Sequence, residues 1–280
     1  MDTVAIQISA ADSLQEILVA EMSALSIEGF EQQDHHLRLF FQREHWTREA
    51  RTVVRDILAR YGLSEHWNET LIPARNWNLE WEKSIQPLSV PPFYIRPSWA
   101  EPLVDHMQLI ELVIDPQMSF GTGHHESTRL ALQHLGVCLD NLDRVLDVGT
   151  GTGILAIAAA KLGAQSVLGL DFDTWSFKNA SENIVLNQVA GMVEIREGTI
   201  ESVGETGFTL ILANINRTVL RNDLPSYVER AAPKAEIILS GLQLTDKALI
   251  AARLKKNNLI LLEERIEANW WSVRARCPKS

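Results

Sequence analysis

Three stretches of the chain carry residue types whose spacing could do chemistry. In RVLDVGTGTGILAIAAAKLGA an apolar run ends near Asp147, glycines follow at Gly149, Gly151 and Gly153, and an alanine-rich helical pattern starts at once. Glycines in a strand-to-helix turn let the backbone approach a ligand closely, and the helix N-terminus offers free amide donors. A nicotinamide fingerprint G-x-G-x-x-G counted from Gly149 requires glycine where Ile154 stands. Next, SVLGLDFD places Asp171 at the end of an apolar run, 24 residues after Asp147. A carboxylate there can accept both hydroxyls of a ribose, whereas Asp173 suits the N-cap of the following helix. In FTLILANIN a further apolar run ends at Asn214. Its amide oxygen could accept a hydrogen bond from an amine and aim the nitrogen lone pair, or the residue could cap the next helix.

A fourth stretch, FGTGHHEST from Phe120 to Thr128, sets two glycines and three hydroxyls around His124, His125 and Glu126. Adjacent histidines project differently from either a strand or a helix, and no other His/Cys cluster supplies missing ligands, so no metal site is expected. A phosphate cradle would need a lysine in G-x-x-x-x-G-K-[ST], and none follows. The stretch reads as a flexible Gly-Thr-Gly segment entering a helix at Glu126 and Ser127.

These groups need elements to position them. From Arg144 onward the strands RVLDV, SVLGLD, MVEIR, FTLILAN and AEIILS alternate with helices starting near Ile154, Thr174, Arg217 and Thr245. That rhythm predicts an α/β doubly wound sheet, and LILLEERIEA and WWSVRAR, joined at Ala268-Asn269, predict a terminal antiparallel pair that makes it seven-stranded. The first 72 residues read differently. Apolar alternation at Val4, Ile6 and Ile8 predicts a strand, and Asp12 caps a helix bearing Leu14, Ile17, Leu18 and Met22. Strands over Ile27–Gln32 and around Leu37, Leu39 and Phe41 follow, then a helix over Trp46–Tyr61 ended by Gly62, and a strand at Leu71-Ile72. The order βαββαβ is that of a small α+β ferredoxin-like domain. Pro73, Pro87, Pro91 and Pro92 bracket a linker whose segment NWNLEWEKSIQP sets Trp77, Trp81 and Ile85 along one helical stripe. The expected division is therefore a domain over 1–72, a linker over 73–92 and a second domain over 93–280.

The turn D-x-G-x-G-x-G resembles motif I of the class I S-adenosylmethionine-dependent methyltransferases, which also carry a terminal antiparallel strand pair. Trp77-x-x-x-Trp81, FGTGHHEST and LDVGTGTGILAIAAAKLGA, in that order, together resemble the PrmA family, methyltransferases of large-subunit ribosomal protein eleven. The resemblance spans roughly Asn76 to the C-terminus; the N-terminal region matches through its element order. It implies a ferredoxin-like substrate-recognition domain joined flexibly to a catalytic domain, with S-adenosylmethionine as methyl donor to lysine and N-terminal amines. It further implies that Thr122 and Gly123 lie in a loop closing over the cofactor, with Thr122 near the reacting centre. Asp147, Gly149, Gly151 and Gly153 would form the cofactor turn, Asp171 would bind ribose, and Asn214 would contact both cofactor and target amine. Many members carry a small or apolar residue where this chain has Asn216.

Composition narrows the remaining classes. Apolar residues make up 46% and charged residues 22%, a globular balance. No apolar run approaches the roughly 20 residues needed to span a bilayer, and no secretory signal is visible. Cys138 and Cys277 suggest neither a metal site nor a disulfide framework, so a reduced, cytoplasmic setting is expected. The net charge is −10, of which −6 falls in residues 1–72, and the first lysine is Lys83. An acidic domain of this kind favours a basic partner and repels nucleic acid. Three functions remain in competition: a protein N-methyltransferase, or a related enzyme acting on another protein or small amine; a nicotinamide-dependent oxidoreductase; and an RNA-binding module. Ile154 and the terminal strand pair oppose the second. HLRLFFQ lacks the basic Lys/Arg-Gly-aromatic start that the third requires. A monomer is expected.

Overall fold

The structure is a computed structural model that describes residues 2–63, 67–73, 84–102, 108–138 and 144–278. The chain divides into two compact units, Met1–Trp77 and Asn78–Ser280. The Trp77–Trp81 stripe lies outside the described residues.

In the first unit, β1 (Thr3–Ser9), β2 (Ile27–Gln33), β3 (His36–Gln42) and β4 (Asn68–Ile72) form an antiparallel sheet in the order β2-β3-β1-β4. Because side chains alternate across a strand, Val4, Ile6 and Ile8 share a face with Leu37, Leu39 and Phe41. That face packs against Leu18 of the helix Asp12–Glu21 and Val54, Ile57 and Leu58 of the helix Arg48–Arg60. Two local expectations change. Asp12 is the first helical residue and not the cap: its Oδ1 accepts from His35 N at 3.0 Å, so it pins the β2–β3 turn. The second helix starts two residues after Trp46, because Thr47 is the N-cap and accepts from Ala50 N at 3.3 Å. Trp46 packs instead on Phe41, with ring centroids 4.6 Å apart.

The second unit opens with a small sheet that the sequence reading did not contain. β5 (Leu88–Val90), β6 (Phe93–Arg96) and β7 (Ile110–Val113) pair in that order, so the segment read as linker carries a strand. Val90, Phe93, Ile95 and Leu112 join the core beneath the large sheet.

The large sheet contains β8 (Arg144–Val148), β9 (Ser166–Asp171), β10 (Val193–Glu197), β11 (Phe208–Asn214), β12 (Ala231–Gln243), β13 (Ile260–Glu267) and β14 (Trp270–Arg276). Their order is β10-β9-β8-β11-β12-β14-β13; the first five are parallel, and β14 is antiparallel to both β12 and β13. Alternation buries both faces. Val145, Leu210, Leu212 and Ile238 pack under the helices Glu126–Leu135 and Ile154–Lys161. Leu146, Ile211, Ile237 and Leu239 pack under the helices Arg217–Arg230 and Lys247–Lys256. Strand order reverses between β8 and β11, which leaves a crevice beyond their carboxyl ends.

Candidate active site

The glycine turn occupies one side of that crevice. Gly149, Gly151 and Gly153 all have positive φ, at 70°, 56° and 82°, where side chains are disfavoured. Space adds a second constraint. A Cβ on Gly149 would come within 2.3 Å of Ile215 Cγ2, and one on Gly151 within 2.2 Å of the Phe120 carbonyl oxygen. Leu170 O accepts from both Gly149 N and Thr150 N, which fastens the turn to the end of β9.

Asp147 is buried behind the turn. Its Oδ2 accepts from Thr150 Oγ1 at 2.6 Å and from Ala156 N at 3.1 Å, while Oδ1 has no partner among the described residues. Burial pushes its carboxyl up to about 7. Asp171 is placed otherwise. It lines the crevice, with Oδ2 accepting from Gly151 N at 2.9 Å and Oδ1 from Asp173 N at 3.1 Å. Each oxygen keeps a further acceptor position free. Asp173 caps the helix Thr174–Leu186 by accepting from Ser176 N, as its position suggested.

Asn214 ends β11 and does not cap the next helix. Asn216 does that, accepting from Thr218 N and Val219 N at 3.1 Å each. Asn214 Nδ2 donates to Thr128 Oγ1 at 3.2 Å, and Oδ1 is buried with no partner among the described residues. A buried carbonyl oxygen without a donor is costly, so this one is a candidate acceptor for a bound group.

FGTGHHEST is tied to the glycine turn. Thr152 donates through its backbone N to Phe120 O at 2.9 Å and through Oγ1 to Gly121 O at 2.6 Å. The two histidines diverge. His124 turns its ring toward Thr122 Oγ1 at 3.5 Å. His125 caps the helix Glu126–Leu135, its Nδ1 accepting from Ser127 N at 3.2 Å. Gly123 packs on the small sheet, where a Cβ would lie 2.7 Å from Ile95 Cδ1.

A cavity of about 410 Å³ brings together Gly149, Gly151, Asp171 and Asn214 with Phe120, His125 and Trp270. That volume lies within the usual range for a small-molecule site. Thr122, Gly123, Asp147 and Gly153 border its elements without lining it. Sequence reasoning missed Thr128 and Thr152, the hydroxyls that hold Asn214 and the loop, and it missed Trp270. The available signal for Trp270 was the pair Trp270-Trp271 on one strand. Neighbours on a strand face opposite ways, so with Trp271 fully buried its partner had to face elsewhere.

A seven-stranded sheet of this order, with its terminal antiparallel pair, glycine turn and acid on the adjoining strand, defines an S-adenosylmethionine-dependent methyltransferase fold. The family model "Ribosomal protein L11 methyltransferase (PrmA)" matches residues 1–277. A ribosomal protein L11 methyltransferase of Chlorobaculum parvum is 36% identical over 267 residues, covering 93% of this chain and 91% of the relative. One from Porphyromonas gingivalis is 34% identical, covering 94% and 91%. The crystal structure of ribosomal protein L11 methylase from Lactobacillus delbrueckii subsp. bulgaricus superposes with a TM-score of 0.65 at 28% identity, covering 70% of this chain and 100% of that one. The chain belongs to the ribosomal protein L11 methyltransferase (PrmA) family.

Proposed function

We propose that this chain transfers methyl groups from S-adenosylmethionine to lysine side-chain amines, and to an N-terminal amine, of ribosomal protein L11. Asn214, which lines the same cavity as the glycine turn and has a buried, partnerless Oδ1 among the described residues, carries the reading. The residues present fit the cofactor. Gly149 and Gly151 let it lie against the backbone, and the free acceptor positions of Asp171 suit two ribose hydroxyls. Asp147 acts from behind, holding Thr150 and the first turn of the helix in place, while Gly153 forms that helix's N-cap. Thr122 and Gly123 belong to the segment that closes over the cofactor's amino-acid end.

When bound, the sulfonium supplies an already activated methyl group, so alignment and exclusion of water provide most of the rate. Asn214 does the aligning. Its Oδ1 accepts an N–H of the target amine, and the bond from Nδ2 to Thr128 fixes which way the amide faces. A lysine amine is mostly protonated at pH 7, a deficit of about 4.6 kcal/mol relative to its neutral form. An apolar wall and a neighbouring positive charge both favour the neutral amine.

The acidic N-terminal unit is the recognition domain for the basic substrate, joined by the linker to the catalytic domain. The enzyme works as a cytoplasmic monomer and does not bind nucleic acid itself. Among the described residues no helix is long and apolar enough to cross a membrane. Incubation with radiolabelled S-adenosylmethionine and undermethylated ribosomal proteins, read by gel and mass spectrometry, tests the assignment. Label on L11 amines is the expected result, and label confined to other proteins or absent altogether would refute it.

A further inference from the structure

Beside Asn214 the cavity has a wall that hydrogen bonding does not account for. Phe120, His125 and Trp270 stand edge to face in a row. The Phe120 and His125 ring centroids are 5.1 Å apart at 62°, and those of His125 and Trp270 are 4.5 Å apart at 71°. Each ring is held by a different element. Phe120 is anchored through its carbonyl by Thr152 N, and His125 by its capping bond to Ser127 N. Trp270 begins β14, paired across to Gln243 of β12 and Glu267 of β13. Arg129 ties these elements together, donating to the Glu267 carboxylate through Nε at 2.9 Å and to the His124 carbonyl. The wall is therefore preorganised.

We infer that this aromatic wall determines how many methyl groups one amine receives, by holding the partly methylated amine in the site for a further transfer. The inference rests on the amine-methyltransferase reading above. In each round the amine lone pair forms an N–C bond, the S–C bonding pair returns to sulfur, and the resulting ammonium gives one N–H proton to water. Every round therefore removes a hydrogen-bond donor. A site that held its substrate through Asn214 Oδ1 alone would grip the amine less well after each transfer. Attraction of aromatic rings to the positive charge that develops on nitrogen as the N–C bond forms needs no N–H and persists as methyl groups replace hydrogens. Apolar N-methyl groups also fit such a wall better than an amide-lined one.

The full-length chain, Phe120→Leu and Trp270→Leu are compared with S-adenosylmethionine and unmethylated ribosomal protein L11, following intact and peptide masses over time. The unchanged chain is expected to place more than one methyl on an amine. Both variants should accumulate monomethylated product, the second transfer slowing about ten-fold or more and the first by less than about three-fold. Affinity for S-adenosylhomocysteine should stay within about two-fold, and Trp270→Phe should restore the second transfer. Phe120 is 53% exposed, so its substitution does not endanger folding and decides the matter if Trp270→Leu is unstable. Equal slowing of all transfers, an unaltered methylation pattern, or an unchanged chain that stops at one methyl overturns the role of the wall. If the unchanged chain transfers no methyl to any amine, the underlying reading falls with it.

Discussion

The two units of this chain differ most in what they bury. Among the described residues of Met1–Trp77, Gln15 is the one buried polar side chain, and the core is otherwise apolar. Asn78–Ser280 buries many more, among them Thr128, Asp147, Thr152, Asp171 and Asn183. Buried polar groups are mostly paired, and several here pair across elements: Asn183 Nδ2 donates to Thr152 O, Thr152 to Gly121 O, and Asp171 accepts from Gly151 N. A network of that kind places lone pairs to within the tolerance that group transfer requires. Recognition of another protein, the role proposed for the first unit, makes no such demand. The first unit covers one face of its sheet with helices, and a plain apolar core suffices to hold it.

Several substitutions test that division of labour. Asn214→Ala removes the acceptor proposed for the amine and leaves the glycine turn and Asp171 in place. Turnover should fall about 100-fold, with S-adenosylhomocysteine affinity nearly intact by calorimetry. A large loss of affinity would move Asn214 into the cofactor site proper. Asp171→Ala should weaken cofactor binding about 10- to 100-fold, since it removes both the acceptor proposed for ribose and the partner of Gly151 N. An unchanged dissociation constant would take it out of the ribose site. Phe41→Ala empties a fully buried position in the first unit and should cost that unit about 3–5 kcal/mol. Methylation of L11 should suffer while S-adenosylhomocysteine binding persists; loss of both would show that the units are not separable in function.

In pH dependence the two units should move in opposite directions. Glu69 is held down at about 2, from 4.5, chiefly by its hydrogen bond with Arg51. Its contribution is present above pH 4.5 and is lost as the pH falls toward 2, so the first unit weakens in acid. Asp147 is raised from 3.8 to about 7, so over that interval the folded state binds more protons than the unfolded one. Stability of the second unit should therefore fall as the pH rises from about 4 to 7, and Asp147→Asn should flatten that slope. Hydrogen exchange resolved by segment would separate the two trends; parallel slopes in both units would contradict the assignment.

Legibility from sequence followed the length scale of each feature. The glycine turn, Asp171, the cap at Asp173 and Asn214 all lie where an apolar run stops, and a run of that kind is visible along the chain. β8, β9 and β11 occupy the residues expected of them for the same reason. The three-stranded sheet at Leu88–Val113 was not visible, because its strands have three or four residues, too few to show a period. Asp12 was read as a cap, and Asn214 as either a cap or an acceptor. The chain alone did not show that Asp12 reaches His35 N or that Asn216 caps the helix after β11. The tryptophan stripe Trp77–Trp81 lies outside the described residues.

By itself the sequence determined the order of elements, the glycine turn and the acids at strand ends, because these depend on periodicity and on backbone conformations that few residues tolerate. Only the tertiary structure decided which groups share one cavity. Asn214 lies 86 residues from Thr128, the hydroxyl its amide meets, and Trp270 stands against His125 from still farther along the chain. Such pairs form where strand order reverses, and that reversal is a property of how the sheet assembles, not of any one segment.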